Sequence, residues 1–138
     1  MESMILSMML WVSTQTGIPV TEAPVIFSVD NIMVCDHMGA PAAHCSQIGR
    51  GIMATYDDNN RAIVMREEVM AEIKHGTILG LSTLVHEIVH HMQGKDKTMA
   101  CREEQAYRLQ EKWANERGTS VVDPFVMAMV AARCFGMD

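Results

Sequence analysis

The stretch Thr83-Leu84-Val85-His86-Glu87-Ile88-Val89-His90-His91-Met92 places two histidines four residues apart, with a glutamate directly after the first. On a helix, positions i and i+4 lie on the same side, about one turn apart. The imidazoles of His86 and His90 can therefore share one Zn²⁺ ion. Glu87 then stands beside the open coordination position. A zinc-activated water there is a nucleophile for peptide-bond hydrolysis, with the Glu87 carboxylate as its general base.

An H-E-x-x-H string also arises by chance, so its surroundings decide its weight. Leu81, Leu84, Val85, Ile88, Val89 and Met92 recur at helical spacing and form one apolar stripe. His86, His90 and Gln93 share a narrow sector nearly opposite. One side of this helix is expected to dock on a core and the other to face a cleft. Between residues 78 and 93 the sole formally charged residue is Glu87.

Residues 83–92 resemble the extended zincin pattern: Thr, an uncharged residue before His-Glu, two uncharged residues, His, an uncharged residue and a hydrophobe. More narrowly, the chain is similar to the small gluzincins. The resemblance covers residues 81–113, is looser over the predicted strands before them, and does not reach the first 25 residues. It implies an α+β, zincin-like fold in which helices pack on a small sheet or hairpin and the metal helix is followed by a third-ligand helix. It also implies a zinc metallopeptidase acting on a peptide or protein substrate.

A catalytic zinc ion usually has three protein ligands and one open position. A metzincin would continue with Gly at 93 and His at 96, where this chain has Gln93 and Asp96. An aspzincin would use Asp96 itself, which lies in the solvated turn Lys95-Asp96-Lys97. In gluzincins the ligand is a glutamate on the next helix, and the resemblance assigns that role to Glu103, followed by Ala106 in the family's E-x-x-A arrangement. Helix geometry separates it from its neighbour. Glu103 shares a sector with Met99, Ala106, Tyr107, Gln110 and Trp113. Glu104 falls on a solvated stripe with Arg108, Glu111, Lys112 and Asn115. Many relatives carry Asp four residues after the ligand, and this chain has Tyr107 there. Tyr107 is a candidate donor to the developing oxyanion, with Tyr56 and His91 as alternatives. Gln93 and Gln110 are candidates for orienting the ligands.

The elements that must position these residues fit one domain over 1–138. Helices are expected over 2–14, 67–74, 78–93, 98–116 and 125–135, and a further one starting at Ser28 or Asp30 and running to 36. Strands are expected over 24–29, 52–56 and 62–66. Asp57-Asp58-Asn59-Asn60 is turn chemistry, so the last two strands read as a hairpin. Ile63-Val64-Met65 is the candidate cleft edge to which an extended substrate would add as a strand. Gly94 is expected to end the metal helix in the left-handed conformation. Thr98 and Asp123 are the expected N-caps of the last two helices. The final helix is strongly apolar and is expected to pack under the active-site pair, its outer side being a candidate protein-partner surface.

A net charge of −6 and the lack of a Lys/Arg cluster argue against nucleic-acid binding. The apolar run over 4–12 is too short to span a bilayer and lacks a positive leader, so no membrane span is expected and the cytoplasm is the default. The 14 methionines read as adaptable core filler, with a methionine-lined groove as the alternative. Cys35 and Cys45 bracket a loop with His37 and His44, open to a disulfide, a second structural zinc site or free thiols. Cys101 and Cys134 read as buried thiols. The rival to a peptidase is a non-catalytic, zinc-stabilised interaction module on the same scaffold.

Overall fold

A computed structural model describes residues 1–30 and 54–136. The described residues form an α+β structure of five helices and a three-stranded mixed sheet. Helix α1 (Glu2–Thr16) directs Ile5, Met8, Met9 and Val12 inward, the i, i+3, i+4, i+7 stripe of an amphipathic helix. It ends where Gly17 adopts φ 77° and its N–H bonds the Ser13 carbonyl.

Strand β1 (Val25–Val29) runs parallel to β3 (Ala62–Arg66), and β2 (Ala54–Asp57) runs antiparallel to β3 on its other side. The spatial order is therefore β1-β3-β2. Two expectations are corrected here. Ile63-Val64-Met65 is not a cleft edge: it is the middle of the sheet, each residue 0% exposed. A continuous apolar run suits a strand covered on both faces. Ser28 does not start a helix but pairs with Met65 in β1. Val29 is likewise in β1; residues 31–36 of that expected helix, and the Cys35–Cys45 loop, lie outside the described residues. The β2–β3 turn forms as anticipated: Asp57 Oδ1 accepts the N–H groups of Asn59 and Asn60 at 3.0 and 3.2 Å.

Helix α2 (Glu67–His75) follows β3 directly and ends at Gly76, φ 75°. Helix α3 (Ile78–Met92) starts at Thr77, whose hydroxyl accepts the Gly80 N–H at 3.2 Å. α3 is the spine of the core. Leu84, Val85, Ile88 and Val89 are all 0% exposed and pack with α1, β3 and α2. It ends at Gln93 in an extended conformation, φ −67° and ψ 148°. Gly94 is not among the left-handed glycines, so that expected cap is also corrected. The Gln93 side chain is engaged elsewhere, as described below.

Helix α4 (Met99–Asn115) is capped by Thr98 and lies along α3, burying Ala106, Leu109 and Trp113. Helix α5 (Pro124–Phe135) is capped by Asp123, whose carboxylate accepts the Phe125 N–H at 2.8 Å. α5 packs on α4 rather than under the α3–α4 pair. It fully buries only Val130 and leaves Phe125 and Phe135 exposed. Instead of two buried thiols, Cys101 and Cys134 form a disulfide that ties α5 to the first turn of α4.

Candidate metal centre

α3 and α4 bring His86, His90 and Glu103 to one point. The Nε2 atoms of His86 and His90 are 3.2 Å apart. Glu103 Oε1 lies 3.5 Å from His86 Nε2 and contacts His90 Nε2. Two nitrogens about 2.0–2.1 Å from a tetrahedral zinc ion would be about 3.3 Å apart. The spacing of the imidazoles suits such an ion.

The tautomers point the same way. His86 Nδ1 donates to Gln110 Oε1 at 2.9 Å, and His90 Nδ1 donates to Gln93 Oε1 at 2.9 Å. Each imidazole therefore carries its hydrogen on the outer nitrogen and aims the Nε2 lone pair inward. Two nitrogen lone pairs and a carboxylate oxygen repel one another unless a cation joins them. A proton is the least such cation. With protons rather than a metal between them, burial works against charge on Glu103, but hydrogen-bonding and charge interactions with His86 and His90 outweigh it and hold the carboxyl far below its usual range. Burial likewise opposes charge on His90, and Glu103 and Glu87 together raise its pKa. A divalent metal answers the same three donors with a stronger charge.

Glu87 occupies a different position at the same point. Its carboxylate is within 4.8 Å of the imidazole nitrogens, and His86, Glu87 and His90 form a buried group that could hold a metal ion. Yet Glu87 Oε2 is buried with no hydrogen-bond partner. Burial raises its pKa above the ordinary value, with His86 and His90 opposing and Glu103 reinforcing the rise. Of the two carboxylates, Glu103 makes the contacts of a ligand and Glu87 has the unengaged oxygen of a base. Glu104 points away and pairs with Arg108 at 3.0 Å, as its helical sector requires.

These groups line an open cleft of about 500 Å³, whose walls include Ala54, Thr55 and Tyr56 of β2, Thr83 of α3, and Arg102 and Tyr107 of α4. Tyr107 packs edge-on against His86, ring centroids 4.4 Å apart, and burial keeps its hydroxyl protonated. Tyr56 is committed elsewhere, its hydroxyl donating to His91 Nδ1 at 2.8 Å. His91 in turn donates from Nε2 to the Glu22 carbonyl at 2.6 Å, so it braces the chain before β1 and does not face the cleft. Asp96, the alternative ligand, is absent from the cleft lining. Three residues of the site were not singled out in the sequence. Arg102, Asp58 and Gln105 form a polar network behind His90. The one sequence signal was a charged residue in the otherwise apolar sector beside Glu103.

The chain belongs to the DUF6647 family, a domain of unknown function, whose model matches residues 1–138. Comparison with curated proteins found no match, and comparison with solved structures found none. Among the described residues no helix is long and apolar enough to cross a membrane.

Proposed function

We propose that this protein is a zinc-dependent metallopeptidase of the zincin type, with His86, His90 and Glu103 as metal ligands and Glu87 as general base. The observation that carries the reading is the convergence of two inward-facing Nε2 atoms and one carboxylate oxygen from adjacent helices, beside a second carboxylate with a buried, unengaged oxygen.

Zn²⁺ bound there supplies Lewis acidity to a scissile carbonyl and to water. The chain's own residues do the rest. Glu87 Oε2 takes a proton from the attacking water and delivers it to the departing amine. Its raised pKa suits a group that must hold that proton between the two transfers. Tyr107, protonated and lining the cleft, donates to the developing oxyanion. Gln110 and Gln93 hold the imidazoles in the tautomer that leaves Nε2 free to ligate. β2, not the central β3, offers the strand edge to an extended peptide, since Ala54, Thr55 and Tyr56 line the cleft. Main-chain pairing of that kind binds with little sequence selectivity. The Cys101–Cys134 bond favours an oxidising compartment over the cytoplasmic default.

The test pairs metal analysis with a peptide-cleavage assay. The wild-type protein should hold one zinc ion and cleave. Glu87→Gln should hold zinc without cleaving, and His90→Ala should lose both. Cleavage by Glu87→Gln at the wild-type rate would remove Glu87 from its role; a wild-type protein that binds no zinc would end the reading.

A further inference from the structure

We propose that Arg102 is a positioning residue for this centre: together with Asp58 it forms a latch that sets the tautomer of His90 and ties the cleft strand to the ligand helix. The proposal rests on the metal reading above.

Gln93 is the middle of the latch. Its Oε1 accepts from His90 Nδ1 at 2.9 Å and from Arg102 Nε at 3.4 Å. Its Nε2 donates to the Arg102 carbonyl at 2.9 Å and to Gln105 Oε1 at 2.8 Å. A primary amide has two acceptor sites on oxygen and two N–H donors, and here all are used. Turning the amide over would set its NH₂ against the Arg102 guanidinium and its oxygen against the Arg102 carbonyl. Arg102 therefore decides which end of Gln93 faces His90. Facing an acceptor, His90 must carry its hydrogen on Nδ1, which frees Nε2 for the metal.

Arg102 is itself fixed. It is 6% exposed, and a buried guanidinium requires a counter-charge. Asp58 takes both terminal nitrogens, at 2.9 and 3.3 Å. Lysine cannot reproduce that two-point fork. Asp58 sits in the turn that leaves β2, the strand beside the cleft. Contacts thus run from the substrate-facing strand through Asp58, Arg102 and Gln93 to His90. His86 stands outside this chain, since its Nδ1 partner is Gln110.

The experiment is a zinc competition titration against a chromophoric chelator, with nitrogen-resolved NMR of the imidazoles in the zinc-loaded protein. Arg102→Lys and Asp58→Asn, one and two contacts beyond Gln93, should each weaken zinc binding by up to about 10-fold, the low end of the loss expected for removing a ligand's own partner. Both should expose the His90 Nδ1 hydrogen to rapid exchange and leave the His86 signal in place. Asp58→Glu should recover most of the affinity. Arg108→Ala, which breaks the exposed Glu104–Arg108 pair on the same helix, should change neither readout. Asp58→Asn lies in a half-buried turn and keeps the test open should Arg102→Lys fail to fold. Folded variants with wild-type zinc affinity and both imidazole signals intact would overturn the latch and leave the metal reading standing. A wild-type protein without zinc affinity would overturn both.

Discussion

Replacing Glu87 by glutamine should make the metal-free protein more stable and, on the proposed reading, abolish peptide cleavage by the zinc-loaded one. Glu87 is 5% exposed, and its Oε2 has no hydrogen-bond partner. Burial raises its pKa from 4.5, and the neighbouring histidines offset only part of that rise. Linkage sets a ceiling on what this costs. The folded protein can always take up a proton on Glu87, so the penalty near pH 7 cannot exceed that of protonating an ordinary carboxyl. About 2.5 pH units at about 1.4 kcal/mol each give roughly 3 kcal/mol. Glutamine has nearly the same shape and no charge. The expected gain near pH 7 is therefore at most about 3 kcal/mol, or up to roughly 12 °C in Tm for a domain of this size.

The assay is thermal unfolding in excess chelator, near pH 7 and again near pH 4. The sign follows from the direction of the shift. A carboxyl whose folded pKa is raised costs nothing below its unfolded value, and its penalty grows as pH rises above that value. The advantage of Glu87→Gln should be largest at neutral pH and should vanish near pH 4. With zinc restored, the same variant should lose roughly 10²- to 10⁴-fold in cleavage rate. Equal or lower stability near pH 7, or an advantage undiminished by acid, would refute the claim that this carboxylate is held in place against its own solvation.

Three other outcomes are expected. Cys101→Ser combined with Cys134→Ser opens a loop with a sequence separation of 33, worth about 3–4 kcal/mol by loop entropy. Because α5 fully buries only Val130, limited proteolysis should release α5 before the rest unfolds; a protease pattern identical to wild type would contradict this. Gly80→Ala should lower stability by about 1 kcal/mol or more, read from denaturant midpoints, although alanine is the better helix former. A Cβ there would come within 2.7 Å of Glu72 Cβ and 2.9 Å of the α2 backbone. Glu111 accepts hydrogen bonds from Ser120 and from the N–H groups of Val121 and Val122, and these outweigh burial to lower its pKa. Its contribution is present at neutral pH and lost as pH falls through that lowered value, so Glu111→Gln should flatten the acid limb of a stability–pH curve.

What the sequence made legible is local. The separation of His86 from His90 is one turn of one helix, and the choice of Glu103 over Glu104 follows from the periodicity of another. Gln93 and Gln110 lie close enough along those helices to be named as orienting residues. What it hid is set by pairing between distant segments. Ile63-Val64-Met65 could be read as a strand, but its place at the centre depends on β1, whose Val25 pairs with Ala62. Cys101 and Cys134 each read as helix residues, and only the crossing of α4 and α5 makes them a pair. Asp58 reads as turn chemistry and does sit in a turn, yet its partner Arg102 is 44 residues away. The division has a chemical consequence. An H-E-x-x-H helix supplies two imidazoles, each with two neutral tautomers, and only one tautomer presents Nε2 to a metal. Choosing it requires an acceptor outside the motif, held with its oxygen facing the ring. Gln110 provides this for His86 from α4. For His90 it comes from Gln93, whose orientation is dictated by an arginine that needs an aspartate from the sheet. The motif names the candidate ligand atoms, and the tertiary fold decides whether their lone pairs are available.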